Sequence, residues 1–146
     1  MDKDIEEVKA KIIKALKPLK LSGNVDFTTS NSLSFPHDLT ATFINIKRKN
    51  FIVIIELMSP VLMNISDDKG LLEFCNSYNL ESRFTLVYNN AIENNMLLLR
   101  TEFWSEFFGA EDFAIKIRSM KNDSETLIRE LKSRFLGRTY SEFQGI

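Results

Sequence analysis

Five consecutive apolar residues, Phe51-Ile52-Val53-Ile54-Ile55, place a β-branched or aromatic side chain on both faces of any strand they form. A strand with no polar face cannot lie at the wet rim of a sheet. The segment therefore predicts a central strand, covered by helices on one side and open to a partner on the other. Thr40 to Arg48, also rich in Thr, Ile and Phe, precedes it, and Lys49-Asn50 between the two has the length of a tight hairpin turn before the strand Phe51 to Met58. Pro60 cannot donate to a ladder and is expected to end or bulge that strand. The functional reading of a strand apolar on both faces from Phe51 to Leu57 is self-association as a homodimer.

The remaining elements follow from periodicity. Between Asp4 and Lys17, Ile5, Val8, Ile12 and Leu16 recur at helical spacing, continued by Leu19, with Asp4 and Glu7 spaced as a capping box and Pro18 closing the segment. Asn24 to Thr29 has the enrichment of a short strand, whereas Ser30-Asn31-Ser32 and Pro36-His37-Asp38 read as a loop. Ser66-Asp67-Asp68 opens a second helix running to about Tyr78, with Leu71, Leu72, Cys75 and Tyr78 inward and Asn79 as a left-handed C-cap. A second hairpin joins Ser82–Tyr88 to Met96–Phe103 across an Asn-rich loop, with Leu86, Leu97 and Leu99 as core residues. From Ala110 onward Phe113, Ile117, Met120, Ser124, Leu127, Leu131 and Phe135 mark one face of a long helix, in which Asn122-Asp123-Ser124 is the weak point. The order α-β-β-β-α-β-β-α describes one α+β domain over residues 1–136, with 137–146 a flexible tail. Its antiparallel sheet has about five strands, with the first and third helices on one face and the second between the two hairpins.

Charge narrows the function classes. Nineteen Lys and Arg against 20 Asp and Glu leave a net charge of -1, and the pI is about 5.9. Residues 1–20 carry +2, 21–115 carry -6 and 116–146 carry +3. Lys47-Arg48-Lys49 is the only basic triplet, so a nucleic-acid partner is not expected and the triplet reads as the solvated tip of a hairpin. No apolar run is long enough to span a membrane, and the charged N-terminus lacks the apolar core of a signal peptide. With one cysteine, Cys75, no disulfide framework is available, so a cytoplasmic location is expected.

Motifs that carry chemistry are scarce. His37 is the only histidine and has no second nitrogen or sulfur ligand beside it, so no metal site is expected. Cys75 falls on the apolar side of its helix, where burial favours a structural thiol over a nucleophile. The five glycines are dispersed, which leaves no phosphate loop and no expected cofactor. Glu102, Glu106, Glu111 and Asp112 could form an acid/base pair, and a hydrolase built on Glu102 and Asp112 is the enzymatic alternative. A strand end followed by the negative first turn of a helix explains the same residues. Asn76 and Asn79, three apart on one helical turn, are a polar pair suited either to a partner backbone or to helix termination. Phe103, Trp104, Phe107 and Phe108 place four aromatics within six residues between the last strand and the long helix. Large rings bury much area at little entropic cost, so these four are the candidate partner-binding residues, with plugging of the sheet-helix seam as the structural alternative.

Gly70-Leu71-Leu72-Glu73-Phe74-Cys75-Asn76-Ser77-Tyr78-Asn79, then Arg83-Phe84, a hairpin and Phe107-Phe108-Gly109-Ala110-Glu111-Asp112-Phe113, resembles the YbjN-like family of bacterial proteins. The resemblance covers about residues 66 to 136 and centres on the helix ending in Asn76-x-x-Asn79. It implies a type III secretion chaperone-like fold in the element order given above, and a regulator or chaperone-like role. The function expected is thus non-enzymatic binding of a protein or peptide partner on an apolar surface. A ligand-sensing or signalling regulator is the alternative.

Overall fold

The computed structural model describes residues 2–22, 25–27, 30–65, 69–89 and 95–144. The two-sided apolar segment lies in β3 (Ile52–Met63), which pairs antiparallel with β2 (Ala41–Lys49) on one edge and β5 (Met96–Trp104) on the other. Adding β1 (Ser32–Pro36) and β4 (Thr85–Asn89) gives a five-stranded antiparallel sheet in the order β1-β2-β3-β5-β4, with β3 at its centre. Flanking it are α1 (Lys3–Leu16), α2 (Lys69–Glu81), α3 (Ala110–Phe135) and the single turn α4 (Tyr140–Phe143). The α+β class and the element order match the reading from sequence.

Alternation along the strands sorts the two faces. Leu33, Phe35, Ile44, Ile46, Ile55, Leu57, Leu97 and Leu99 are buried and form one core with Ile5, Val8, Ile12 and Leu16 of α1 and the inward stripe of α3. The opposite face is mixed, with Phe43, Asn45 and Lys47 of β2 beside Glu56 and Met58 of β3 and Arg100 of β5. Pro60 does not end β3. The register shifts between Pro60 and Leu62, so the proline sits at a bulge and pairing resumes to Met63.

Several boundaries differ from the sequence reading for identifiable reasons. The first strand is Ser32–Pro36 rather than 24–29, part of which lies outside the described residues. Its serines alternate with Leu33 and Phe35, so only two side chains carry the burial signal, and at this sheet edge Pro36 forfeits no ladder bond. The hairpin turn falls on Asn50-Phe51, one residue later than expected, because Asn50 takes the left-handed conformation with φ 59°. The N-cap of α1 is Asp2 rather than Asp4, its carboxylate accepting from the Asp4 and Ile5 amides at 3.1 and 3.3 Å. Helix α2 runs past Tyr78 to Glu81, and its Leu72 faces solvent instead of the core. The expected cap Ser66-Asp67-Asp68 lies outside the described residues. Helix α3 is unbroken through Asn122-Asp123-Ser124, where the Ser124 hydroxyl donates to the Lys121 carbonyl at 3.1 Å.

Residues 137–144, in the segment expected as a flexible tail, lie against the sheet. Met63 and Arg138 exchange both backbone hydrogen bonds at 2.8 Å, and Tyr140 meets Phe43 edge-on at 5.7 Å on the face opposite α1 and α3. Leu136 ends α3 in the left-handed conformation, which turns the chain so that Gly137 passes directly over Leu62 and Ile65. A Cβ at 137 would overlap the Ile65 side chain and crowd the Met63 carbonyl oxygen at 3.1 Å.

Two substitutions test this packing. Ile55→Ala, at a fully buried site on the central strand, is expected to cost about 2–5 kcal/mol in urea denaturation. Gly137→Ala is expected to cost about 1–3 kcal/mol by overpacking, and an unchanged midpoint would mean that the 137–144 segment does not lie where it is described.

Candidate functional site

The four aromatics between β5 and α3 are divided by the geometry of the connection. Phe103 shares the core-facing parity of Leu97 and Leu99 and lies 6.4 Å from the Phe113 ring, with Lys116 Nζ 5.2 Å over its face. A 3-10 turn over Ser105–Phe107 then rotates the chain, and Phe108 returns to the same Phe113 ring at 5.1 Å. Phe103 and Phe108 therefore plug the sheet-helix seam. Trp104, of opposite parity, stacks on Phe107 with centroids 5.9 Å apart and planes 23° from parallel, and the two remain 46% and 70% exposed.

These two rings do not stand alone. Phe51, carried to the tip of the β2–β3 hairpin by the Asn50 turn, is 97% exposed. A groove of about 250 Å³ lies between that tip, the first turns of α1 and the end of β5, with Phe51, Val8 and Trp104 on its apolar side; Glu7 and Glu106 on its rim outnumber Lys11, and Asp4 is held by Arg48. The hairpin is fixed against α1 by Arg48, whose guanidinium takes the Asp2 carboxylate at 2.5 and 2.8 Å and Asp4 at 3.0 Å. Hydrogen bonding from Arg48 holds the Asp2 carboxyl down at about 2.

The polar pair on α2 serves two purposes. Asn79 is inside the helix rather than a left-handed cap, and its side-chain amide clamps the backbone of Leu86 in β4. Nδ2 donates to the Leu86 carbonyl at 3.0 Å while Oδ1 accepts from the Leu86 amide at 2.7 Å. This fixes an edge strand to a helix. Asn76, one turn earlier, is exposed. Cys75 is buried, and burial pushes its thiol pKa up. Two members of the basic triplet are engaged by acids, Arg48 as above and Lys47 by Glu56 at 3.0 Å. Glu56 sits in the mixed face with Arg100 at 2.7 Å and Asn45 at 3.1 Å. Burial raises its pKa, yet hydrogen bonds from Arg100, Lys47 and Asn45 prevail and hold it below the usual carboxylate range. The four acids considered as an acid/base pair are partly committed elsewhere, Glu102 to Arg100 at 2.9 Å and Asp112 to Lys116.

A buried cluster escaped the sequence reading. His37, in the β1–β2 connection, places Nδ1 2.6 Å from Glu125 of α3 and Nε2 2.9 Å from the Thr42 hydroxyl. The same carboxylate accepts the Leu39 amide at 3.0 and 3.1 Å. A neutral imidazole satisfies every member, with Nδ1–H donating to Glu125 and Nε2 accepting from Thr42. Burial depresses the His37 pKa, opposed by the Glu125 carboxylate. The available signal was Glu125 beside Ser124, two adjacent polar residues interrupting an inward stripe; nothing local ties them to His37, 88 residues away. Among the described residues no group of three or more His, Cys, Asp or Glu side chains could hold a metal ion, and no helix is long and apolar enough to cross a membrane.

No protein-family model and no curated protein matches the chain. Among solved structures, the crystal structure of YbjN from E. coli, described as a proposed transcription regulator, superposes with a TM-score of 0.59. The match covers 86% of this chain and 93% of that one at 14% identity. The chain has a YbjN-like fold. At that identity the likeness concerns backbone arrangement, and the YbjN-like resemblance carried by Leu71, Leu72, Cys75, Asn76 and Asn79 agrees with it.

The buried histidine makes stability pH-dependent with a defined sign. Unfolded His37 titrates near 6.5 and folded His37 below that, so on acidification the unfolded chain takes up the proton first and stability falls as pH drops below about 6.5. Urea denaturation at pH 7.5, 6.5 and 5.5 is expected to show stability falling toward the acid end, by at most about 1.4 kcal/mol per pH unit, and His37→Gln to flatten the profile. Because His37 is the only histidine, a wild-type profile flat across that window would rule out its burial in neutral form.

Proposed function

We propose that this chain is a non-enzymatic, chaperone-like binding domain that holds a protein or peptide partner against the apolar surface of Phe51, Trp104 and Phe107. The observation that carries the reading is the Trp104–Phe107 stack, two large rings ordered on each other and still about half or more exposed, beside a third ring exposed at 97%. Preorganised aromatics of this kind lose little freedom on contact and supply most of the affinity where they occur at interfaces. Glu7 and Glu106 at the groove rim favour a partner segment that couples an apolar anchor with a basic residue. A second copy of the chain is one such partner, since Lys49 is exposed on the same hairpin.

A ligand-sensing or signalling regulator is the second reading, favoured by the description of the structurally similar YbjN as a proposed transcription regulator. An affinity pull-down of the tagged chain from the lysate of its source, read by mass spectrometry, separates the two. Under the binding reading one dominant partner is recovered by the wild type and lost with Trp104→Ala/Phe107→Ala, whose melting temperature should stay close to wild type because both side chains are exposed. Equal recovery by the double variant would overturn the assignment of the site. Recovery of the chain alone would shift weight to self-assembly or to the regulator.

A further inference from the structure

We infer that the cleft between α1 and α3 is a second binding site, which takes a single-chain amphiphile with one negatively charged head, of the long-chain carboxylate class. The cleft has a volume of about 650 Å³, within the range of small-molecule sites. Its apolar lining comes from Ala15 and Leu19 beside α1 and from Phe108, Ala110, Ala114 and Ile115 around the start of α3. With Pro18, three of seven apolar lining residues are alanines, so the space between the helices is left empty rather than filled by side chains. Ile115 is 55% exposed within it, on a helix whose other large apolar side chains are buried.

The rim supplies the complementary charge. Lys11 and Lys14 of α1 and Arg118 of α3 border the cleft, with Glu111 as its one acid. None of these three cations forms an ion pair among the described residues. Three cations against one acid leave the rim of this apolar trough with a net positive charge. Their aliphatic stems extend the apolar wall while the heads reach solvent, and the guanidinium fork of Arg118 can take a carboxylate through two parallel hydrogen bonds. The lining stretch of each helix spans about 12 Å at 1.5 Å per residue, the length of an extended chain of about ten carbons. A trough of this length accommodates one short alkyl chain with an anionic head, whereas an amphipathic helix of three turns needs about 16 Å. Phe51, Trp104 and Phe107 do not line this cleft; Lys11 borders both it and the aromatic groove, whereas Lys14 and Arg118 do not border that groove and so separate the two sites.

The test is isothermal titration of the full chain with decanoate, kept below its micelle concentration, at pH 7.5 and low salt. Saturable binding of one decanoate per chain is expected, with no saturable heat from decyltrimethylammonium, which has the same tail and the opposite charge. Lys14→Glu/Arg118→Glu should weaken decanoate binding at least about tenfold, and Ala114→Trp, which fills the cleft without changing its charge, should abolish it. Trp104→Ala/Phe107→Ala should leave it unchanged, so that loss of either site is read separately. Should Ala114→Trp fail to fold, the charge reversal at two exposed positions still decides. Absence of saturable decanoate binding, equal binding of the cationic amphiphile, or wild-type affinity in the charge-reversed chain would each overturn the inference. Binding of a Glu-flanked amphipathic peptide that decanoate cannot displace would overturn it in favour of a protein occupant.

Discussion

The structure depends on β3 being hydrogen-bonded along both edges. An apolar strand at the rim of a sheet would expose a ladder of unpaired amides and carbonyls beside a hydrophobic surface, a template for aggregation. Pairing with β2 and β5 removes that hazard and brings the two hairpins, separated in sequence by α2, into one sheet. Once β3 is central, its core-facing residues Ile55 and Leu57 require a cover, which the inward stripes of α1 and α3 supply. The bulge at Pro60 follows from the same arrangement, since a residue with no amide hydrogen inside a central strand is tolerated only where the ladder is locally broken.

Polar contacts between elements, one of them buried, set the relative placement of the elements. Glu125 gathers His37 and the Leu39 amide, so α3 is attached to the β1–β2 connection through one carboxylate. Asn79 attaches α2 to the edge strand β4, and Arg48 attaches the hairpin tip to the cap of α1. Each contact joins segments that hydrophobic burial alone would leave free to slide; for the His37–Glu125 contact, whose side chains are buried, leaving a donor or acceptor unpaired costs about 1–3 kcal/mol. The Arg48 contact bears on function as well, since it holds the Phe51 tip near Trp104.

Two surfaces differ in their chemistry. The aromatic end carries more acids than cations at its rim and presents stacked, preorganised rings, suited to a partner with an apolar anchor. Between α1 and α3 the pattern is reversed, with small apolar residues under unpaired cations. Positive segment charges at the N- and C-terminal ends of the sequence and a negative middle become a local charge pattern only because α1 and α3 pack side by side.

Much of the architecture was legible in the sequence because it rests on local periodicity. The central position of β3, the inward stripes of α1 and α3, the core positions of Leu86, Leu97 and Leu99 and the burial of Cys75 all follow from spacing and side-chain type over short windows. The first strand was misplaced because Ser32-Leu33-Ser34-Phe35 carries only two burial signals, and its pairing with β2 is what makes it a strand. At the aromatic cluster, composition marked the segment but could not divide it: strand parity and the 3-10 turn send Phe103 and Phe108 to Phe113 and leave Trp104 and Phe107 outside. The His37–Glu125 contact lay beyond any local window, since a buried polar contact is defined by which distant groups share a space withdrawn from solvent. The sequence by itself thus determined the elements and their buried faces, which depend on the chemistry of neighbouring residues. Only the tertiary structure decided which polar groups meet, which rings remain exposed and where cations gather without partners, because those depend on contacts between residues far apart in the chain.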